Sequence, residues 1–341
     1  MRRRSVLATV PPLLVGCVGR SESPDNTTTA SPTVSETVPP TGTRTEVPTE
    51  THTETPTEAP PPWAEFDLLT LDRPTSSETD VRERLADHDC TALGDDPVCP
   101  GEESRVTVEL SQTVASLPAA EIQLSVHNDA DETFQWNSFG WKFLTFDGHT
   151  WRGLSPLGTP QPLTPIAPGR THTYTIQVNH QPFEDVRVST RSEQIRFHGL
   201  GPGVYGLVND SGYFGDLAED PVPIAATFGF SGQAPPLRPT NDIVGIHREG
   251  SELVVESERD DLTRELLVRF VDEADTDLLP EHIRMVRALR NTVSFAPNDG
   301  IDSVRYVADP RTINAAKNYL SAWTPPETTS YGIAGYAFTV E

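Results

Sequence analysis

Residues 141–151 read WKFLTFDGHTW. Phe143 to Phe146 is apolar and β-prone, Asp147-Gly148 supplies a turn, and His149 to Trp151 restarts a strand. Asp-Gly between two such runs predicts a hairpin closed by a tight type I′ turn, because both central residues of that turn need positive φ. Upstream, Glu121 to Val126 alternates, with Ile122, Leu124 and Val126 on one face. Downstream, Pro168-Gly169 turns into Thr171–Val178, where Tyr174, Ile176 and Val178 share a face, and Gly201-Pro202-Gly203 turns into Val204–Val208. Short strands between Gly/Pro turns predict a mainly β protein whose first folded domain, residues 63–230, is a β-sandwich.

Beyond a seam at 231–241, SGQAPPLRPTN, residues 240–341 mix both periods. Ile243–Ile246 and Leu253–Val255 flank Arg248-Glu249-Gly250 as a hairpin. Asp261–Asp272 fits a helix through Leu262, Leu266 and Phe270, or a strand through Leu266, Val268 and Phe270; charges in its first turn favour the helix. Leu279–Val293 predicts one helix with Pro280 near its start. Ser303–Val307 is a strand, Asp309-Pro310 opens a helix reaching about Trp323, and Tyr331–Val340 alternates as a final strand. A small α+β domain results.

The N-terminal end is of a different kind. Arg2, Arg3 and Arg4 precede the apolar run SVLATVPPLLVG, residues 5–16, and then Cys17. A basic start, a short apolar core and a small residue before the cut form a signal peptide, residues 1–16. The run falls short of the roughly 20 residues that span a bilayer. Residues 17–62 are dominated by Thr, Pro, Ser and Glu with no apolar periodicity, so they predict a disordered stalk. Asn26 and Asn209 each head an Asn-x-Ser/Thr triplet and are candidate glycosylation sites.

The chain carries 26 Lys+Arg against 50 Asp+Glu, a formal net charge of −24, with Lys142 and Lys317 as its only lysines. Such acidity excludes nucleic acid as a partner, which requires a basic footprint, and disfavours anionic headgroups. Cys90 and Cys99, in DHDCTALGDDPVC, predict a local disulfide for an exported chain. A metal site joining His88 to both cysteines is the competing reading, and it lacks a fourth ligand and any C-x2-C spacing.

Four resemblances follow from these residues. Leu14-Val15-Gly16-Cys17 resembles a lipobox, which implies lipidation of Cys17 as the first mature residue and attachment to the outer face of the cell membrane; Arg3-Arg4 followed by Ser5 to Leu7 is similar to a twin-arginine export signal. An acid excess with Arg in place of Lys resembles proteins of extreme halophiles, so the whole is similar to a haloarchaeal-type surface lipoprotein. Asn128-Asp129, the 141–146 strand, Asp147-Gly148, Trp151, Ala167-Pro168-Gly169 and Leu200-Gly201-Pro202-Gly203-Val204-Tyr205 occur in an order that resembles bacterial Ig-like domains over residues 105–210. That resemblance implies an Ig-like antiparallel sandwich, an extracellular setting, and a tyrosine-corner contact from Tyr205.

No catalytic signature stands out. G-x-S-x-G, H-E-x-x-H and the P-loop are absent from the sequence; Gly201 to Gly206 turns into a strand rather than opening a helix, so it is no dinucleotide fingerprint, and no cofactor or metal is expected. His149, His172 and His180 are scattered, and the acidic runs Asp95-Asp96, Glu102-Glu103 and Asp272–Asp275 lack the spacing of a calcium loop. Trp136, Phe139, Trp141, Phe143, Phe146 and Trp151 form an aromatic cluster. Trp141 and Phe143 belong to a core; Trp136, near a loop, is the candidate exposed ligand contact. The expected function is a non-enzymatic binding or adhesion module for a cell-surface protein or glycan. The alternative is a ligand-receiving or hydrolytic component of an envelope assembly, with the α+β domain carrying the activity.

The acid excess makes a prediction. Self-repulsion is screened at molar salt and not at low salt, so thermal unfolding in millimolar NaCl should fall well below that in molar NaCl. Equal melting temperatures would remove the halophile reading.

Overall fold

The computed structural model describes residues 60–71, 75–156, 163–180, 193–215, 221–258, 263–324 and 327–341; Cys17, Asn26 and nearly all of the stalk lie outside them. Helix α1 (Glu78–Ala86) opens on a reciprocal cap: Ser77 Oγ accepts from Asp80 N at 3.1 Å, and the Asp80 carboxylate accepts from Ser77 N at 3.0 Å. A 3-10 turn, Cys90–Leu93, follows.

The sandwich strands are β1 (Val106–Leu110), β2 (Val114–Ser116), β3 (Ala119–Asn128), β4 (Phe134–Trp136), β5 (Lys142–Phe146), β6 (Trp151–Pro156), β7 (Thr164–Ile166), β8 (Thr171–Asn179), β9 (Gln194–His198), β10 (Gly203–Phe214) and β11 (Val222–Ser231). Among the described residues one sheet runs β1-β3-β8-β9; the other runs β2-β11-β10-β4-β7, with β5 and β6 added alongside β10. Pairing is antiparallel except for β2–β11 and β8–β9. The expected β-sandwich is present, with these two parallel pairings in place of a wholly antiparallel pattern. Ile122, Leu124 and Val126 of β3 and Tyr174, Ile176 and Val178 of β8 all point into its core, as the alternation requires. Tyr205 is fully buried and its hydroxyl donates to the Gly201 carbonyl at 2.6 Å, the expected corner contact.

The hairpin at 141–151 forms with a different loop. Phe146 pairs with Trp151, leaving four loop residues. Asp147 Oδ1 accepts from His149 N and Thr150 N, each at 2.9 Å, and only Gly148, at φ +101°, takes the left-handed conformation there. The aspartate side chain organises the turn in place of a type I′ backbone.

The second lobe contains β12 (Ile243–Glu249), β13 (Glu252–Ser257), β14 (Arg264–Val271), β15 (Thr276–Asp277), α2 (Pro280–Met285), α3 (Arg287–Val293), β16 (Ser303–Ala308), α4 (Pro310–Trp323), β17 (Ser330–Ile333) and β18 (Tyr336–Val340). Its sheet runs β12-β13-β16-β14-β18-β17-β15 among the described residues. Asp309 caps α4 by accepting from Arg311 N and Thr312 N, as predicted.

Four expectations are corrected. Residues 264–271 form a strand between β16 and β18, where Leu266 and Val268 alternate into the core and pairing overrides helix propensity. The helix predicted over 279–293 breaks at Val286, whose ψ of 108° is extended. The final strand is a hairpin, β17–β18, turned by Ala334 and Gly335 at φ +49° and +85°. Residues 63–71 do not join the sandwich: Trp63, Phe66, Leu68, Leu69 and Leu71 pack in the second core, Leu69 N donates to Ser294 O at 2.8 Å, and Phe66 meets Phe295 edge-on at 5.5 Å.

A strap, residues 76–100, lies across the outer face of the β2-β11-β10-β5 sheet. Ser76 and Gly232 exchange two main-chain hydrogen bonds at one end, and Val98 bonds to Pro223 and Ala225 at the other. Cys90 and Cys99 are joined, with Cα atoms 5.9 Å apart, over Val208 and Ala225. The pair therefore staples the strap and is not an inter-sheet bond. Closing a loop of this size stabilises by about 2–3 kcal/mol in the chain-entropy model. Replacing both cysteines with Ala should lower unfolding stability by about that amount, and reductant should lower the wild type alike; insensitivity to both would show that the bond is not formed in solution.

Candidate functional site

The strap and the sandwich enclose one mixed cavity of about 310 Å³. Arg84 and His88 come from the end of α1, Phe146 and Asp147 from the β5–β6 hairpin, and Gly203 and Val204 from the start of β10. Arg84 lies in the last turn of α1 and His88 just beyond its end, where His88 N donates to Leu85 O. The Arg84 guanidinium is tethered on one side: Nε donates to Asp80 O at 3.2 Å and Nη2 to Ser76 Oγ at 3.0 Å. The His88 ring lies against Phe146 with centroids 3.8 Å apart and planes tilted by 37°, and Trp151 meets Phe146 edge-on at 5.6 Å. Asp147 is turned away from ligand chemistry. The N–H of Thr150, then that of His149, and then Arg152 hold its carboxyl below the usual range. The cavity therefore has an aromatic wall, a glycine-lined rim, and one guanidinium as its least engaged charge.

A second depression, about 370 Å³, lies on the outer face of the other sheet and is wholly polar. Its groups bond one another. Thr107 Oγ1 donates to Asp129 Oδ2 at 2.5 Å, His127 Nε2 lies 3.3 Å from Asp129 Oδ1, and His127 Nδ1 lies 2.8 Å from Thr171 Oγ1. This Asp-His-Thr chain lies open on a sheet face.

The predicted site residues fall as follows. Trp136 is fully buried, which corrects its assignment as an exposed contact. It meets Trp141 edge-on at 5.5 Å and Tyr174 at 5.7 Å, in a core cluster closed by a 2.7 Å hydrogen bond from Tyr174 Oη to Ser138 O. Asn209 is also fully buried, so it is corrected as a glycan acceptor. Its Nδ2 donates to Asn137 O at 2.8 Å, and its Oδ1 accepts from Ser211 N and Oγ; the triplet marks an irregularity in the β10–β11 pairing. Cys17 and Asn26 lie outside the described residues. His149, His172 and His180 stay apart: His149 is in the hairpin loop, His172 lies against Trp136, and His180 bonds Leu200 O at 2.7 Å. Among the described residues no group of three His, Cys, Asp or Glu could hold a metal; His88 lies against Phe146 rather than joining the cysteines. Asp275 of the acidic run caps Thr329 and Ser330, whose hydrogen bonds bring its carboxyl down to about 2.

Polar groups also converge where the two lobes meet. Glu281, His282 and Arg284 of α2 are buried. Arg284 Nη2 donates to Leu71 O at 2.9 Å, His282 Nε2 bonds Gly153 O at 2.8 Å, Tyr319 Oη donates to Leu154 O, and Arg152 Nη2 donates to Asp277 O at 2.9 Å. These contacts end on main-chain carbonyls, so they fasten the lobes.

Sequence reasoning missed the Arg84–His88 pair. Its signal was present: Ser77 and Asp80 form a cap pattern, with basic residues following at helical spacing.

No family model matches the chain, and no curated protein matches it. Among solved structures it is similar to a β-glucosidase from Listeria innocua (14% identity, 38% of this chain, 16% of that chain, TM-score 0.19). It is also similar to the yjhA protein from Bacillus subtilis (11% identity, 38% of this chain, 98% of that chain, TM-score 0.20). The ASH/PapD-like domain of human CEP192 is a third (15% identity, 40% of this chain, 90% of that chain, TM-score 0.19). This chain thus spans 16% of the β-glucosidase's length. At these scores the likenesses say nothing of what the chain binds or does.

The lobe junction holds a buried histidine. Burial is the main cause that pushes His282 below its ordinary value of 6.5, and burial likewise lowers His172, His180 and His198. In the neutral ring Nδ1 accepts from Leu279 N at 3.0 Å while Nε2–H donates to Gly153 O. A depressed folded pKa makes the stability contribution complete above about 6.5 and lost as pH falls below it, because the unfolded chain takes up the proton first. Denaturant unfolding should therefore weaken from pH 7 to pH 5, and His282→Gln should flatten that slope. An unchanged slope would show that His282 is not a principal source.

Proposed function

We propose that the chain is an exported, lipid-anchored cell-surface protein whose folded head is a binding module. The anchor is the lipid on Cys17, the stalk is residues 17–62, and the partner is a cell-surface protein or glycan. The observation that carries the binding reading is the cavity between α1 and the β5–β6 loop, with its His88–Phe146 wall and its partly engaged Arg84. Ligand sites commonly pair an apolar wall with a few placed polar groups. The hydrolytic alternative would draw on Glu281, His282 and Arg284, and the hydrogen bonds of His282 and Arg284 fasten the lobes. No helix among the described residues is long and apolar enough to cross a membrane. A single acyl chain binds only marginally, so a two-chain anchor is required for permanence.

The Cys17→Ser variant should appear in the medium or remain unprocessed with its leader. Full membrane retention of a processed Cys17→Ser chain would overturn the anchor.

A further inference from the structure

We propose that the cavity between α1 and the β5–β6 loop binds a carboxylate carried on a compact ring, with Arg84 pairing the carboxylate and the His88–Phe146 pair meeting the ring. The inference deepens the binding reading and rests on it.

The charge argument comes first. Arg84 and Asp147 are the residues of fixed charge among those lining the cavity. Asp147 has oxygens accepting from His149 N and Thr150 N, and Arg152 Nη1 lies 3.5 Å away. Arg84 uses Nε and Nη2 on Asp80 O and Ser76 Oγ, and Nη1 has no partner among the described residues. Among the lining residues Arg84 is thus the charge without an ion-pair contact, although Asp80, one turn upstream, lies within electrostatic reach of it and the chain's net charge is −24. A guanidinium held at two of its nitrogens has little rotamer freedom left to lose, and a carboxylate is the group its planar fork fits.

Shape supplies the rest. At about 310 Å³ the cavity lies at the small end of ligand sites, which suits one ring rather than an extended chain. Its wall is a pair of rings in contact, tilted by 37° to each other, and another ring meets such a surface offset or edge-on. Gly148, at φ +101°, and Gly203 leave the rim open to hydroxyl groups. Long-range repulsion of an anion by the acidic chain is screened beyond about 10 Å at 0.1 M salt; Arg84 is itself exposed, so its own pull on the anion is also weakened by salt.

Calorimetric titration of the full chain in molar NaCl tests this. Glucuronate and benzoate represent the sugar and aromatic sources of a ring-borne carboxylate; glucose, benzyl alcohol and acetate lack the charge or the ring. Binding of one or both ring carboxylates, at least about tenfold tighter than every control, is expected. Arg84→Gln should weaken that binding about tenfold or more, the effect of losing a charge-assisted hydrogen bond. His88→Ala keeps Arg84 and removes one ring of the wall, so it should weaken ring carboxylates and leave acetate unchanged; it decides the matter if Arg84→Gln melts early. No ring carboxylate binding, controls binding equally, or binding indifferent to His88→Ala would overturn the ligand class. Surface attachment of the Cys17 chain is a separate readout, so the ligand class can fail while the anchored-module reading stands.

Discussion

Position 229 has no Cβ, and the strap depends on it. A Cβ built on Gly229 would overlap Val81, the fully buried residue of α1, and one on Gly206 would come within 2.8 Å of Leu93. Two mid-strand glycines thus let a helix and a 3-10 turn lie close on the outer face of β10 and β11. In a sandwich, that face normally meets water on its polar residues. Here it carries Val208 and Ala225, covered by the cystine. The cover fixes everything above it. It carries Arg84 and His88 to the edge of the sheet, where the 147–150 loop and Gly203 complete the cavity. Gly in a strand interior weakens the strand; close approach is the compensation at both positions.

How far this was legible in the sequence depends on how local each signal is. Alternation in β3 and β8 sets the inward face without help from partners, so Ile122, Leu124, Tyr174 and Ile176 fall where the pattern puts them. Tyr205 reaches a carbonyl only four residues upstream, and such a contact is set by short-range geometry. The misses are non-local. Residues 264–271 satisfy both periods, and only the pairing with β16 and β18 decides between them. Trp136 looks exposed beside a loop, yet β4 pairs with β7 and β10 and turns the ring inward. Asn209 carries a modification pattern that is really a strand irregularity closed by its own side chain. Residues 63–71 precede the sandwich in sequence and pack in the other lobe, an arrangement no window of local composition can show. The cavity was hidden for the same reason: Gly206 and Gly229 are readable as close-approach positions, but what approaches lies more than a hundred residues away in the chain.

Arginine does work inside this molecule that the two lysines do not. Arg284 reaches Leu71 O from a buried position, and Gly199, at φ +73°, leaves only 3.0 Å between a would-be Cβ and Arg284 Cβ. Arg287 pairs with half-buried Asp242. Arg305 lies among Glu249, Glu252 and Glu265, and its hydrogen bond to Glu252 is the main cause that raises its pKa. A guanidinium is more weakly hydrated than an ammonium and presents donors in a rigid plane, so it loses less on entering such sites. The exposed acids have the opposite role, holding water and repelling one another. Salt therefore acts unevenly across the fold. It screens the exposed acids strongly and the buried arginine contacts little, so lowering salt loads the periphery of both lobes while the junction between them keeps its bonds. Loss of the native state at low salt should accordingly begin at the exposed acidic faces, away from α2, and the α2 contacts to Gly153 and Leu71 should be among the last to open.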